Sequence, residues 1–569
     1  MSRAITLTPE LAYRAISPST AFWEAHKYPK EEDAYTYLPW NESHLNPKNR
    51  IDSLTPVQTP TWTVHGSTGL GTQFFTVPVF ISPLPPLRID TFLPDPAYWP
   101  AKLRLDLNLN EAFLFRDSRI VKFGICQHIL RALEFWSASI SNFEIMYREL
   151  PFGSRIMFEN MSKDIRNIRI RVIRTHDLER QLLPLAALKL NRLNPLPEIL
   201  DISQLTLIRQ FQDSAALVRV IGSDENDVVV FKTLSDTPKY LYHELEILLT
   251  MPEYANIISR PRHIVTKNCR FGGKVAVLGF TIRYHKQGSL RDILPFKGLH
   301  GILAMNDQIK WASQVVKALQ HIKSKGPGWY CDLRLDNILL SDADDVILID
   351  FEQRGVLPAF ASPMDNNLQY INALINEPSL NTAMRKEYMD LYDLHVRPFV
   401  PKRRDQHQGC VPWLCMSKSE REASEMYMVG RLLWCIFEGV SAPQKELWME
   451  YLHEPDIEFP EFRRTPQQLR ELIWSCTPGW IGVNKVLQRK AFELKFLVSS
   501  DSKELGKEGF LGDLVATWDR ELDRARSIVK NRGDHTSSAN SNNPVDGRLT
   551  LEDVLQKIED CVAIFENSE

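Results

Sequence analysis

The sequence predicts an α+β protein: a larger α+β unit over about residues 205–569, preceded by a separate small α+β region at residues 1–195. Three observations carry that expectation. Prolines crowd the segment from Tyr37 to Ala101. Short apolar runs and turns alternate from about residue 205, and a polar turn at Ser341 to Asp345 sits between two apolar, β-branched runs. The polar stretch Thr536 to Asn543 reads as a segment without packed structure of its own.

The totals narrow the class. At 569 residues the chain exceeds one typical domain, and its net charge of −3 gives no electrostatic reason to expect nucleic acid or an anionic membrane as partner. The opening residues lack the apolar core of a signal peptide, and apolar stretches such as Leu432 to Val440 are far shorter than the roughly 20 residues that span a bilayer. A soluble protein, cytoplasmic or nuclear and not secreted, is expected. The eight cysteines are scattered singly without a Cys-x-x-Cys pair, so neither a zinc site nor a disulfide framework is suggested. Cys410 and Cys415 are closest together but have no second ligand pair nearby.

In the first region the prolines, among them Pro78, Pro83, Pro85, Pro86 and Pro94, exclude long helices and central strands and leave extended, aromatic-anchored loops. Gly66 to Gly71 lacks the G-x-G-x-x-G order and is followed by the strand-like Gln73 to Pro78, so it predicts a hairpin turn and not a phosphate loop. Lys102 to Asn110 alternates, with Leu103, Leu105, Leu107 and Leu109 on one side, and predicts a half-buried strand. Ile168, Ile170 and Val172 predict another, with Arg169 and Arg171 on its solvated face. Pro184 and the spacing of Leu185 to Leu193 predict a helix that Asn194-Pro-Leu-Pro197 stops.

Beyond residue 205, Leu217 to Ile221 predicts a strand, Gly222 to Asp227 a turn and Val228 to Lys232 the next strand. Lys239 to Met251 predicts a helix with the stripe Leu241, Leu245 and Leu248. Glu244 falls on that inward line, whereas Glu246 lies roughly 200° round the helix. Two further strands flank Gly272-Gly273, and Ile309, Ala312, Val315, Val316, Leu319 and Ile322 form the stripe of an amphipathic helix ending near Gly326.

Chemistry concentrates after that helix. Ile338 to Leu340 and Val346 to Ile349 predict a tight hairpin; Asn337 enters its first strand and Asp350 leaves its second, so the turn brings the two side chains together. A carboxylate and an amide oxygen converging in this way suit a hard cation such as Mg²⁺. Asp332, on the loop just before, is placed to accept a hydroxyl proton, and Arg334 to steady a transferring phosphate by charge. Asp, Asn and Asp are also the ordinary turn and cap residues of hairpins, but their order and mutual spacing favour a phosphotransfer site.

Asp332-Leu333, three residues and Asn337, followed by Asp350-Phe351, resemble the catalytic loop and the Asp-Phe-Gly element of protein kinases. Val228 to Lys232 resembles that family's Val-Ala-Ile-Lys strand, Gly288-Ser-Leu290 its helix start beyond the hinge, and Glu425 to Gly439 its buried helix, where the first residue is usually Asp. The resemblance covers roughly 205–480 plus the tail and looks closest to divergent protein-kinase-like proteins of fungi. It implies a bilobal protein-kinase-like fold, with a first lobe at 205–285 and a second at 286–569 that carries an insertion at about 478–547, ATP and Mg²⁺ as cofactors, and an unidentified protein or metabolite as phosphate acceptor. Lys232 held by Glu244 would orient the phosphates, and Arg283, Tyr284 and His285 would form the hinge that meets adenine. Asp332 and Arg334 would serve transfer to the acceptor, Asn337 and Asp350 would hold Mg²⁺, and Glu352 would add a carboxylate.

The departures keep three readings open. Arg209 to Ala216, where a glycine-rich loop should lie, contains no glycine, which is expected to weaken ATP binding. Tyr330 and Cys331 replace His and Arg, so switching by loop phosphorylation is not expected; Ser362-Pro-Met364 stands where Ala-Pro-Glu would be, and Glu352 replaces the motif's glycine. An active serine/threonine-type protein kinase, a pseudokinase scaffold and a small-molecule kinase, the last favoured by Asp-Phe-Glu, all fit this pattern.

Overall fold

The computed structural model describes residues 59–95 and 124–365 with short breaks, isolated positions among 98–107 and 382–416, and residues 418–443, 457–478 and 549–566. The chain is an α+β protein of two compact units. One holds the described residues up to Leu249 together with Ser259–Tyr284, and the other holds Thr250–Ile258 and those from His285 onward.

Among the described residues the first unit contains two sheets. In the first, β1 (Trp62–Thr68), β2 (Gln73–Pro78), β3 (Asp90–Phe92), β4 (Arg155–Phe158) and β5 (Ile170–Ile173) lie in chain order. The expected hairpin is there, with Thr68 opposite Gln73 and the turn residues 69–72 outside the described residues. The proline argument is corrected, because β2 and β3 are interior strands. Pro78 closes β2, Pro83, Pro85 and Pro86 lie in the connection to β3, and Pro94 follows it, so no interior ladder position needs the N–H that proline lacks. Helix α1 (Gly124–Ala138) buries Ile125, Ile129 and Leu133 beside the sheet, and α2 (Phe143–Arg148) follows. An aromatic anchor is present on a strand of this sheet: Trp62 of β1 is 1% exposed, its indole N–H donates to Ser137 Oγ at 3.0 Å, and its ring meets Phe143 at 5.8 Å edge to face.

The strand expected at Lys102 to Asn110 is also corrected. The Leu107 N–H donates to the Leu103 carbonyl at 3.1 Å, the i to i+4 bond of a helical turn, and both side chains are buried. A four-residue repeat serves one face of a helix as well as of a strand; the other residues of that stretch lie outside the described residues. Arg171 stays on a solvated face, paired with Glu159 at 2.9 Å. After α3 (Asp177–Gln181), the helix expected from Leu185 is only a 3₁₀ turn, Leu185–Leu188, closed by Lys189 in the left-handed region (φ 54°).

The second sheet joins β6 (Glu198–Asp201), β7 (Leu205–Gln212), β8 (Ala215–Val220), β9 (Val228–Thr233), β10 (His263–Cys269) and β11 (Lys274–Arg283) in the order β6-β10-β11-β9-β8-β7, with α4 (Pro238–Thr250) between β9 and β10 in sequence. Leu241, Leu245 and Leu248 are buried in α4 as the stripe requires. Gly279 on β11 meets β9 so closely that a Cβ there would stand 2.1 Å from the Lys232 carbonyl oxygen. The described residues of the N-terminal region, expected to stand apart, share one compact unit with this sheet. The Leu207 N–H donates to the Leu84 carbonyl (2.7 Å), the Gln210 N–H to His65 Nδ1 (2.9 Å) and the Lys274 ammonium to the Leu182 carbonyl (2.6 Å).

The second unit is mainly helical among its described residues. It comprises α5 (Leu290–Leu299), α6 (Met305–Lys325), the hairpin β12 (Ile338–Leu340) and β13 (Val346–Leu348), then α7 (Lys418–Glu438), α8 (Gln467–Cys476) and α9 (Leu551–Glu566). The six stripe residues of α6 are each at most 5% exposed, and burying side chains of this size contributes about 1–3 kcal/mol apiece, less for Ala312. Helix α6 packs on α7, whose residues from Ser424 to Glu438 are all buried, and on α9. The expected insertion and the Cys410–Cys415 pair lie outside the described residues. Among the described residues no helix is long and apolar enough to cross a membrane.

Candidate functional site

In the second unit the hairpin is held from two sides. Its turn closes on itself through the Ser341 N–H to the Asp345 carbonyl (2.8 Å), and α6 grips it: the Trp311 indole N–H donates to the Asp344 carbonyl (3.0 Å), and the Val346 N–H donates to Gln314 Oε1 (2.8 Å). Ile338 pairs with Leu348, and the Ile349 N–H donates to the Asn337 carbonyl at 3.0 Å. Asn337 therefore leads into the first strand of the hairpin, and Asp350 follows the residue that is bonded to the Asn337 backbone.

The loop before it folds around Asn337. Its Nδ2 donates both to the Asp332 carbonyl and to Asp332 Oδ2, each at 2.9 Å, which turns the amide oxygen away from Asp332. Arg334 Nε lies 3.1 Å from Asp332 Oδ1, and its Nη1 lies 3.8 Å from Asp336. Burial pushes the Asp332 pKa up to about 6 against the pull of Arg334, while its side chain keeps 16% exposure, an accessible edge on a desolvated carboxylate. Burial works against the Arg334 charge, but Asp332, Asp336 and Asp350 together outweigh it and hold the guanidinium protonated. Asp332, Arg334, Asn337 and Asp350 thus form one charged cluster.

Several residues that the sequence reading gave no role support this cluster. Tyr330 is buried, its pKa raised well above the usual range first by burial, so its hydroxyl donates to the Ile349 carbonyl while its ring meets Phe351 at 5.3 Å. Gln353 ties the stretch after the motif to the loop before Asp332, accepting from the Cys331 N–H and donating to the Trp329 carbonyl, both at 3.0 Å. The Tyr330 N–H donates to Glu425 Oε1 (3.4 Å) from α7, and Arg291 of α5 reaches Asp336 at 2.8 Å. Glu425 carried a signal in its place at the start of the buried helix, and Tyr330 in its place two residues before Asp332; Gln353 and Arg291 are joined across the chain without any local pattern.

Asp350 (φ 65°) and Gln353 (φ 55°) occupy the left-handed region, an uncommon conformation for side-chain-bearing residues that clusters at functional sites. Glu352 is not among the left-handed residues, so its place in the glycine position of the motif needs no strained backbone. It is 6% exposed. Downstream, Ser362 and Ser424 donate to the buried Asp365 carboxylate, which fastens the stretch after the motif to α7.

In the first unit Lys232 of β9 and Glu244 of α4 form the expected ion pair, Nζ to Oε2 at 2.6 Å, with 8% and 1% exposure. Arg283 ends β11 exposed. Tyr284 stacks on Phe211 of β7 with centroids 6.1 Å apart, and His285 is the first residue of the other unit on this side, its carbonyl accepting the Gly288 N–H at 3.4 Å. The segment without glycine is the β7–β8 hairpin, with Asp213-Ser214 at its tip.

The donor set of Asn337, Asp350 and Glu352 consists of hard oxygens, the chemistry that Mg²⁺ selects. No protein-family model and no curated protein sequence matches this chain.

Proposed function

We propose that this chain is an ATP- and Mg²⁺-dependent phosphotransferase of protein-kinase-like, bilobal fold, acting on a hydroxyl acceptor in a protein. The observation that carries the reading is the Asp332–Asn337 cluster. A half-buried carboxylate with a raised pKa is bound to the amide that starts the hairpin, and Asp350 ends that hairpin beside it. In this reading Asp332 receives the acceptor hydroxyl and takes its proton, and Asn337 keeps that carboxylate oriented. Arg334 offsets charge on the transferring group, as well as the Asp332 charge in the resting site. Asn337, Asp350 and Glu352 are the residues that would hold Mg²⁺, which supplies charge neutralisation at phosphate oxygens when bound. Lys232, fixed by Glu244, is assigned to the α- and β-phosphates, and the backbone from Arg283 to His285 to the adenine.

A second reading, a nucleotide-binding module without turnover, is favoured by the β7–β8 hairpin. It has no glycine, and its Phe211 stacks on Tyr284, the residue assigned to the adenine. Turnover of γ-phosphate with Mg²⁺ separates the two. Asp332→Asn is expected to lower it at least about 100-fold, the scale of lost general-base catalysis, while leaving MgATP affinity within a few-fold. Intact turnover in that variant would refute the catalytic assignment, and MgATP binding without turnover in wild type would select the second reading. Lys232→Met serves only beside a stability measurement, because stranding the buried Glu244 charge costs about 3–5 kcal/mol on its own.

A further inference from the structure

Arg88 lies in the connection that leads into β3 of the first sheet, two residues before that strand, yet its side chain acts at the border of the second sheet. Its Nη1 donates to the Leu234 carbonyl at 2.5 Å, just past the end of β9 and two residues beyond Lys232. Its Nη2 donates to Asp213 Oδ2 at 3.3 Å, at the tip of the β7–β8 hairpin. Its Nε lies 3.9 Å from Asp90, and the side chain is only 11% exposed. The backbone of Arg88 is left-handed (φ 53°), a conformation that a residue with a Cβ keeps only where its surroundings fix it. The Thr233 N–H meanwhile donates to the Ser214 carbonyl at 2.8 Å, so hairpin tip and lysine strand are tied by backbone as well as by Arg88.

One guanidinium thus bridges the two parts of this unit to which the phosphotransferase reading gives phosphate contacts. Glycine-rich loops bring backbone N–H groups to phosphates because no Cβ intervenes. Here the hairpin has side chains throughout and an Asp at its tip, which would repel a triphosphate.

We propose that Arg88 is a positioning residue of the nucleotide site: it fixes the glycine-free hairpin against the Lys232 strand and cancels the Asp213 charge, so that a nucleoside triphosphate can approach. The proposal rests on the phosphotransferase reading. It gives the N-terminal region a task, that of completing a hairpin which the following sheet leaves electrostatically unsuited to phosphate.

The test titrates MgATP and adenosine separately into the full chain by calorimetry, for wild type, Arg88→Ala, Asp213→Asn and the double variant. The expected result is a loss of MgATP affinity of about tenfold or more in Arg88→Ala, little change for adenosine, and recovery of most of the loss in the double variant. Equal weakening of both ligands, or no recovery in the double variant, would make Arg88 a weld between sheets and overturn the proposal. Should Arg88→Ala fail to fold, Arg88→Lys keeps a cation near Asp213 without the planar fork, and it must retain MgATP affinity better than Arg88→Gln. Absence of MgATP binding in wild type would remove the phosphotransferase reading itself, whereas wild-type binding that is indifferent to Arg88 would remove this proposal alone.

Discussion

Glu425 lies beneath the loop that carries Asp332, and its carboxylate accepts the Tyr330 N–H while burial pushes its pKa up to about 7. A carboxyl whose folded pKa is raised stabilises the fold most where it is protonated. The contribution is complete below about pH 4.5 and disappears as pH rises through 7, a swing of about 3 kcal/mol. Glu425→Gln keeps an acceptor for the Tyr330 N–H without a titrating charge. Urea midpoints between pH 5 and 8 are expected to slope less steeply in that variant, and an unchanged slope would assign the pH response elsewhere. The Lys232–Glu244 pair was legible in sequence because both residues sit on local patterns, an apolar strand end and the inward line of a helix. The Tyr330–Glu425 contact spans 95 residues and the Arg88–Asp213 contact 125, and no periodicity records such partners.

Among the elements, those set by local chemistry were readable and those set by packing were not. The β12–β13 hairpin follows from a polar turn between β-branched runs, and α4 and α6 from their stripes. The leucines at 103 and 107 satisfy two periods at once, and tertiary packing chose the helical one. Gly279 gave no signal at all, since a glycine within an apolar strand can mark a bulge, a bend or a close approach. Here the neighbouring Lys232 carbonyl is backbone and cannot swing aside. Gly279→Ala is therefore expected to destabilise the protein by about 1–3 kcal/mol in equilibrium denaturation and to loosen the Lys232–Glu244 pair with it. A neutral outcome would mean that β9 and β11 can slide apart at little cost.

For the molecule as a whole, the two units carry buried titratable groups of opposite sense. In the first, burial lowers His65 and His128 to about 4. These histidines favour the fold when neutral, and that stability is lost as pH falls from about 6.5 toward 4; Asp90, raised to about 6 by burial, offsets part of it below pH 6. In the second, Glu425 and Asp332 are raised, so the same acidification favours the fold. Hydrogen exchange corrected for intrinsic rates is expected to show α1 less protected and α7 more protected at pH 5.5 than at pH 7.5. A parallel response of both helices would contradict the burial-driven shifts. Periodicity shows that a face is apolar but not which sheet covers it, so the bonds from Leu84 and His65 to the second sheet leave no trace in the sequence.

The bonds from Leu84 and His65 to β7 have one more consequence. A strand at the end of a sheet presents N–H and C=O groups to any passing extended chain, and the Leu207 and Gln210 N–H groups of β7 are instead spent on the protein's own earlier residues. The N-terminal region therefore acts as a built-in guard against edge-to-edge self-association, so a chain shortened to begin after it would carry a sticky border wherever the second sheet still formed.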